Sequence, residues 1–394
     1  MLDTLIKTLF CVFLIFTSTI TYADSTTKDP EIEVTKAIQS FMRVNKVPGV
    51  MVELYIHGKP YSYHFGYANL STGKRVTDYS IFDIGSVTKV FTGLLLALEV
   101  DAGKMSLNDP ITKYLPHISN AGKSIQHVSL LNLATHTAGF SFYTPRKIKN
   151  ENILINYLAH WRPTSVVGSH WHYSNFGIGL LGAAIEESTH ASYNELYRSR
   201  ILIPLQMNPI AFVIPLHLRS QEAQGYDGAG VRKSDSKLDI FPGSWGLKAS
   251  GHDMLNFLAA SIGLPGTPPN ILAAMRLSQT PFMRTDAMLQ GLGWQIRHIT
   301  AATYPRLLRG IGASGNLKAT LVPISNRHFD PNALIDKTGA WDGFRTYIAV
   351  LPSRNSGIVI MANRSVANRV IVSMARKLLF NLADVKVEMR KLKK

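Results

Sequence analysis

Ile81–Val100, IFDIGSVTKVFTGLLLALEV, opens on Gly85-Ser86-Val87-Thr88-Lys89 and then runs almost wholly apolar through Val90, Phe91, Leu94, Leu95, Leu96 and Leu98. An apolar run of this length predicts a helix buried on nearly every side. Ser86 and Lys89 then fall in its first turn. Residues three apart on a helix share a face, so the lysine amine reaches the serine hydroxyl. Unpaired backbone N–H groups at the helix start add positive partial charge beside that hydroxyl. A serine hydroxyl is a poor nucleophile until a nearby base takes its proton. The stretch therefore predicts an activated serine at the mouth of a buried helix.

The S-x-x-K spacing says little by itself, because it recurs at Ser25/Lys28, Ser71/Lys74 and Ser234/Lys237. Context separates Ser86 from the others. It alone precedes a long apolar run. Ser71-Thr-Gly-Lys74 reads as a turn, and Ser25 lies in a polar N-terminal stretch.

Upstream, Glu31 to Asn45 has helical spacing and is stopped by Pro48-Gly49. Val50–Tyr55 and Tyr61–Tyr67 read as a hairpin around His57-Gly58-Lys59-Pro60. Downstream, helical segments at Leu130–His136, Gly177–Ser188, Tyr193–Leu202, Asp253–Ile262 and Ile271–Leu277 alternate with Pro/Gly-rich connections. Thr346–Leu351 and Gly357–Ala362 form a second predicted hairpin, and a helix from about Ala367 to Leu382 ends the fold. Strands at both chain ends with helices between predict an α/β (α+β type) fold. A mainly antiparallel sheet would be drawn from residues 24–105 and 300–394, with a largely helical domain at 106–299 and the active site at their junction.

With 17% charged and 46% hydrophobic residues, the 394-residue chain is globular, not disordered. Lys7, the apolar segment Leu9–Ile20 and Thr21-Tyr22-Ala23 have the layout of a secretory signal peptide, 1–23, too short to span a bilayer comfortably. Export to the periplasm is expected. The single cysteine, Cys11, lies inside that segment. The mature chain then has neither disulfides nor thiol chemistry. The net charge of +16 allows loose attraction to anionic envelope surfaces, with no specific nucleic-acid partner. The basic stretch Lys386–Lys394 reads as a solvated tail.

Two further signals complete a constellation with Ser86 and Lys89. Tyr173-Ser174-Asn175 precedes the apolar run Phe176–Ile185, and Lys337-Thr338-Gly339 precedes the Thr346 strand. A phenol near pKa 10 is a poor base unless cations lower its pKa. Lys89 and Lys337 are placed to do so. Either the tyrosinate or Lys89 then takes the Ser86 proton, and the sequence leaves that choice open. Asn175 offers an amide for an acyl side chain or for Lys89.

On Gly85-Ser86-Val-Thr-Lys89, Tyr173-Ser-Asn175 and Lys337-Thr-Gly339, from about Glu31 to Leu382, the chain resembles the class C serine β-lactamases. These cephalosporinases belong to the wider fold of serine β-lactamases and penicillin-binding D,D-peptidases. Leu133-Ala-Thr-His-Thr-Ala-Gly139, Gln290-Gly-Leu-Gly-Trp294 and Gly357-Ile-Val-Ile-Met-Ala-Asn363 resemble the same pattern. The resemblance implies hydrolysis of the β-lactam amide of cephalosporins and penicillins through an acyl-enzyme on Ser86, with Lys89, Tyr173 and Lys337 as catalytic partners. It implies an oxyanion hole from the backbone N–H groups of Ser86 and Ala340. Substrate contacts would come from Asn175, Thr338, Gly339, Ala340, Trp245 and Asn368. No metal and no cofactor is implied, and a monomer is expected. The chain departs from the family at Ala340, Trp245 and Ser365. It also departs in Phe140-Ser-Phe-Tyr-Thr144, where Thr144 falls at the position of a substrate-binding glutamine.

Rival readings keep the fold as a D,D-peptidase or an esterase, or make the chain a non-catalytic envelope binding protein. The intact serine–lysine–tyrosine set argues against the last. A metallo-enzyme is suggested by His170-Trp-His172, but no aspartate stands two residues later. An α/β-hydrolase would need a G-x-S-x-G motif, which the chain lacks.

Overall fold

The computed structural model describes residues 28–119, 122–145, 148–208, 212–227 and 242–387. The expected signal peptide, Cys11 and most of the basic tail lie outside these residues. No helix among the described residues is long and apolar enough to cross a membrane.

Five strands carry the fold: β1 (Gly49–Ile56), β2 (Lys59–Asn69), β3 (Leu334–Trp341), β4 (Phe344–Leu351) and β5 (Ser356–Ala362). They pair antiparallel in the order β3-β4-β5-β1-β2, so the last strand of the chain lies beside the first. The expected hairpins are both present. β1 and β2 turn at His57-Gly58, where both residues have positive φ.

Successive side chains of a strand point to opposite faces. Val50, Val52, Leu54, Tyr347, Ala349, Ile358 and Ile360 join one apolar core. Met51, Ile348, Val350, Val359 and Met361 join another on the opposite face. Each face is covered by helices. α1 (Pro30–Asn45) and the terminal helix pack on the first face. The second core holds α2 (Thr88–Asp101), α3 (Asn175–Thr189) and α4 (Gly251–Ile262). The terminal helix, α5 (Asn368–Leu382), buries Ile371, Val372, Ala375, Leu378, Leu379 and Leu382 along one stripe. Burial on both faces explains why β5 is apolar throughout.

The sequence differs from the structure in two respects that affect the site. Lys337-Thr338-Gly339, which the sequence places only ahead of the Thr346 strand, lies within a strand of its own, β3. The short strands Met283–Arg284, Leu289–Gln290 and Gln295–Arg297 extend the same sheet, although the sequence assigns them to the helical segment 106–299. Two- and three-residue pairings carry no period-2 signal, so only the sheet itself reveals them.

The start of α2 is also finer than expected. Gly85–Val87 is a 3₁₀ turn, and the α-helix begins at Thr88. The turn is pressed against β3. A Cβ on Gly85, which has φ +52°, would come within 2.8 Å of the Ala340 backbone. One on Gly339 would come within 2.0 Å of the Ile84 carbonyl oxygen. Both glycines are needed for two backbones to touch. Gly93 and Gly293 do the same on the far side of α2, where their Cβ atoms would meet Leu292 O and Lys89 O. This gives Gln290-Gly-Leu-Gly-Trp294 a packing role: it clamps α2 from behind.

Gly339→Ala therefore separates β3 from the serine turn. It is expected to lower unfolding stability by about 2–4 kcal/mol, as steric insertion at a packed backbone does. Urea denaturation checks this, and a variant as stable as wild type would show that the contact is not tight.

Candidate active site

α2 is buried at every position from Thr88 to Glu99, so Lys89 has its whole side chain inside the protein. Its Nζ donates to Ser86 Oγ at 3.2 Å and also to the Ser244 carbonyl. Burial, and then the neighbouring Lys337, push the Lys89 amine well below the usual lysine range. Lys337 comes from β3. Its Nζ donates to Tyr173 Oη at 3.3 Å and to the Thr338 carbonyl at 2.9 Å. Burial brings its pKa down to about 7 despite the opposing pull of Asp336.

Tyr173 lies between the two lysines, with Lys89 Nζ 5.0 Å and Lys337 Nζ 5.2 Å from its ring centroid. Here the structure differs from the sequence reading. Burial raises the phenol pKa, and a hydrogen bond with Ser86 only partly offsets this. The physical reason is that the same burial drives both lysines toward their neutral amines, which weakens the field expected to lower the phenol. The shifts therefore run in opposite directions, the phenol upward and both lysines downward.

Asn175 is the first residue of α3, capped by the Ser174 hydroxyl on Gly177 N–H. Its Oδ1 is buried without a hydrogen-bond partner. Its backbone N–H donates to Phe142 O at 2.8 Å, and Ser174 Oγ donates to Ser141 O at 2.7 Å. These bonds hold the 140–144 loop so that Phe142 and Tyr143 line the cleft. Thr144, expected at the glutamine position, is not among the lining residues.

The cleft has a volume of about 640 Å³. Ser86, Tyr173, Asn175, Trp245, Lys337, Thr338, Ala340 and Asn368 all line it. Lys89 and Gly339 lie behind that surface, the first bonded to Ser86 and the second packed on Ile84. Apart from Thr144, the structure thus brings together the catalytic and substrate-binding residues singled out in the sequence. It adds several that were not. Trp341 stacks on Trp245 at 4.0 Å between centroids. Arg345 also lines the wall, as does His172, which the sequence had raised only as half of a metal-ligand pair. His170 and His172 sit on a short strand paired with Asn316–Lys318. His136 stacks on Tyr173 at 4.4 Å, and its Nδ1 accepts from Ser174 N–H. Burial keeps this imidazole neutral. Its left-handed backbone, φ +60°, was not legible from residue type.

Beneath Lys337, Asp336 is completely enclosed. It accepts from Arg297, from Arg376 and from Tyr347 Oη at 2.7 Å. Burial raises its pKa, but the two guanidiniums outweigh it and hold the carboxyl below its ordinary range. Arg376 belongs to α5 and Arg297 to the neighbouring strand, so this cluster ties both to β3.

A family described as Beta-lactamase matches residues 34–380. A Beta-lactamase of Pseudomonas fluorescens is 30% identical, covering 88% of this chain and 97% of its own. A solved class C beta-lactamase in complex with cefoxitin superposes with TM-score 0.84 at 30% identity, over 90% of this chain and 99% of that one. A D-alanine carboxypeptidase from Burkholderia cenocepacia does so with TM-score 0.83 at 31% identity, over 90% and 99%.

Asp336→Ala leaves two buried guanidiniums uncompensated. A loss of about 3–5 kcal/mol is expected. Because the folded carboxyl is held below its unfolded value, the stability it contributes is present above about pH 4. It is lost as pH falls through the folded pKa. Acid denaturation of wild type and variant checks this: the variant should lack that acid-dependent part, and identical curves would contradict it.

Proposed function

The chain belongs to the Beta-lactamase family, and we propose that it is an exported serine β-lactamase acting in the periplasm on cephalosporins and penicillins. The observation that carries this reading is the meeting of three signals distant in sequence. Lys89 bonds to Ser86, and Lys337 bonds to Tyr173, on one wall of one cleft.

The chemistry follows from those contacts. Ser86 Oγ attacks the lactam carbonyl while its proton passes to the neutral Lys89 amine. Backbone N–H groups of Ser86 and Ala340, brought side by side through Gly85 and Gly339, receive the oxyanion. The C–N bond breaks, and the ring nitrogen takes the Tyr173 proton, which Lys89 replaces. Water then attacks the acyl carbon, gives its proton back through the same pair, and frees Ser86. Of the two bases left open by the sequence, the depressed pKa of Lys89 and the raised pKa of Tyr173 favour Lys89.

Substrate binding follows the same wall. A substrate carboxylate meets Lys337, Thr338 and Asn368, and its negative charge draws a proton back onto Lys337. The open Asn175 amide holds an acyl-chain amide. Phe142, Tyr143 and the Trp245–Trp341 stack supply apolar walls. In this reading the cleft lies at the junction of the sheet part, 24–105 and 300–394, and the helical part, 106–299.

A second reading is favoured by the D-alanine carboxypeptidase neighbour. Both activities acylate Ser86 and differ in how fast the acyl group leaves. Purified full chain given a chromogenic cephalosporin and, separately, a peptide ending in D-Ala-D-Ala distinguishes them. Multiple-turnover opening of the cephalosporin supports the lactamase. A single stoichiometric burst, with turnover of the peptide only, overturns it.

Tyr173→Phe keeps the ring between the lysines and removes the proton carrier. Turnover should fall by roughly two to four orders of magnitude. Activity within a few-fold of wild type would leave Tyr173 a packing residue.

A further inference from the structure

Away from the cleft, β1 and β2 build a second polar cluster. Their register places Glu53 opposite Ser62 and Met51 opposite His64. Cross-strand partners share a face, so Glu53, Ser62 and His64 all point toward the core that contains α4. Gly251, the first residue of α4, packs so closely that a Cβ there would meet Glu53 Oε1 at 2.3 Å. Asp78 arrives from the loop before Ile81. That loop is fixed by Thr77 N–H on Ser80 Oγ at 2.9 Å and by His252 N–H on Asp78 O at 3.1 Å.

The hydrogen bonds within the cluster do not balance. Ser62 Oγ lies 2.9 Å from Glu53 Oε1 and 2.7 Å from Asp78 Oδ1, yet it has one proton to give. His64 Nε2 lies 2.6 Å from the same Asp78 oxygen and 3.1 Å from Ser62 Oγ. Glu53 has no exposed surface, and its Oε2 is buried with no partner. Among the described residues, neither carboxylate forms an ion pair with a lysine or arginine. Ser, His and Asp suggest a hydrolytic triad, but the serine and the aspartate both approach the same imidazole nitrogen. A triad needs them on opposite nitrogens.

The arrangement suits a cation instead. One donor atom from each of Glu53, His64 and Asp78 lies within 4.8 Å of the other two. A tetrahedral zinc ion with bonds near 2.0–2.2 Å sets its ligands roughly 3.3–3.5 Å apart, which small side-chain movements reach. An imidazole nitrogen and carboxylate oxygens are both donor types that zinc takes. Glu53 forms a dry floor, while the His64 and Asp78 side chains are 26% and 48% exposed and leave an entrance from solvent.

We propose that Glu53, His64 and Asp78 form a binding site for a zinc-type divalent cation, separate from the Ser86 cleft. None of the three residues lines that cleft. The ion would be structural. It would fasten the β1–β2 hairpin to the loop leading to Ile81 and the serine turn.

The test is calorimetric titration of chelator-treated full chain with zinc chloride, with thermal unfolding alongside. One zinc ion per chain and a raised Tm are expected for wild type. Glu53→Gln, which keeps the side-chain volume, and His64→Ala, on the exposed side, should each weaken binding at least about tenfold. His170→Ala should not. Cobalt in place of zinc should give the visible absorption of a four-coordinate site in wild type only. Absence of saturable zinc binding overturns the proposal. So does binding of equal strength in wild type, Glu53→Gln and His64→Ala.

Discussion

The backbone of the serine turn rests directly on β3, and the cleft depends on that contact. Gly85 touches Ala340, and Gly339 touches Ile84, with no room for a side chain at either glycine. The contact fixes Ser86 relative to Lys337, although 251 residues separate them in sequence. Side chains can adjust by rotation, but a backbone held on both sides cannot. α2 is held in this way, by β3 at its start and by Gly293 against Lys89 O behind.

Charge is the second constraint. Two lysines are enclosed in the wall of a cleft where a full cation is costly. Burial, and then Lys337, push the Lys89 amine well below the usual lysine range, which makes its proton easier to lose. Lys337 sits near neutrality and lies directly above Asp336 on β3. Asp336 is committed to Arg297 and Arg376, so it supports the strand without neutralising the lysine fully. Burial pushes the Tyr173 phenol upward between them.

Much of this was legible in the sequence because it rests on local pattern. The apolar run after Ser86 marked α2, the strand-like stretches on either side of His57-Gly58-Lys59-Pro60 marked the first hairpin, and the boundary positions of Tyr173 and Asn175 marked the start of α3. What the sequence did not show is what long-range packing decides. The sequence placed Lys337-Thr338-Gly339 only ahead of the Thr346 strand, and pairing with β4 makes it part of a strand of its own. Trp341 and Arg345 carry no motif, and only the folded cleft brings them near Ser86. The expected role of Thr144 failed because Asn175 and Ser174 bond back to the loop and turn Phe142 and Tyr143 inward. The direction of the Tyr173 pKa was misread because residue type reveals neighbouring charges but not burial.

The account's central claim is that Ser86 becomes acylated. Intact-mass spectrometry of the full chain, quenched in acid within seconds of adding a slowly turned-over β-lactam, tests it most directly. The account predicts a mass increase equal to one β-lactam, carried after digestion by the peptide that contains Ser86 and absent from Ser86→Ala. An adduct on another residue, or an adduct that persists in Ser86→Ala, would contradict it.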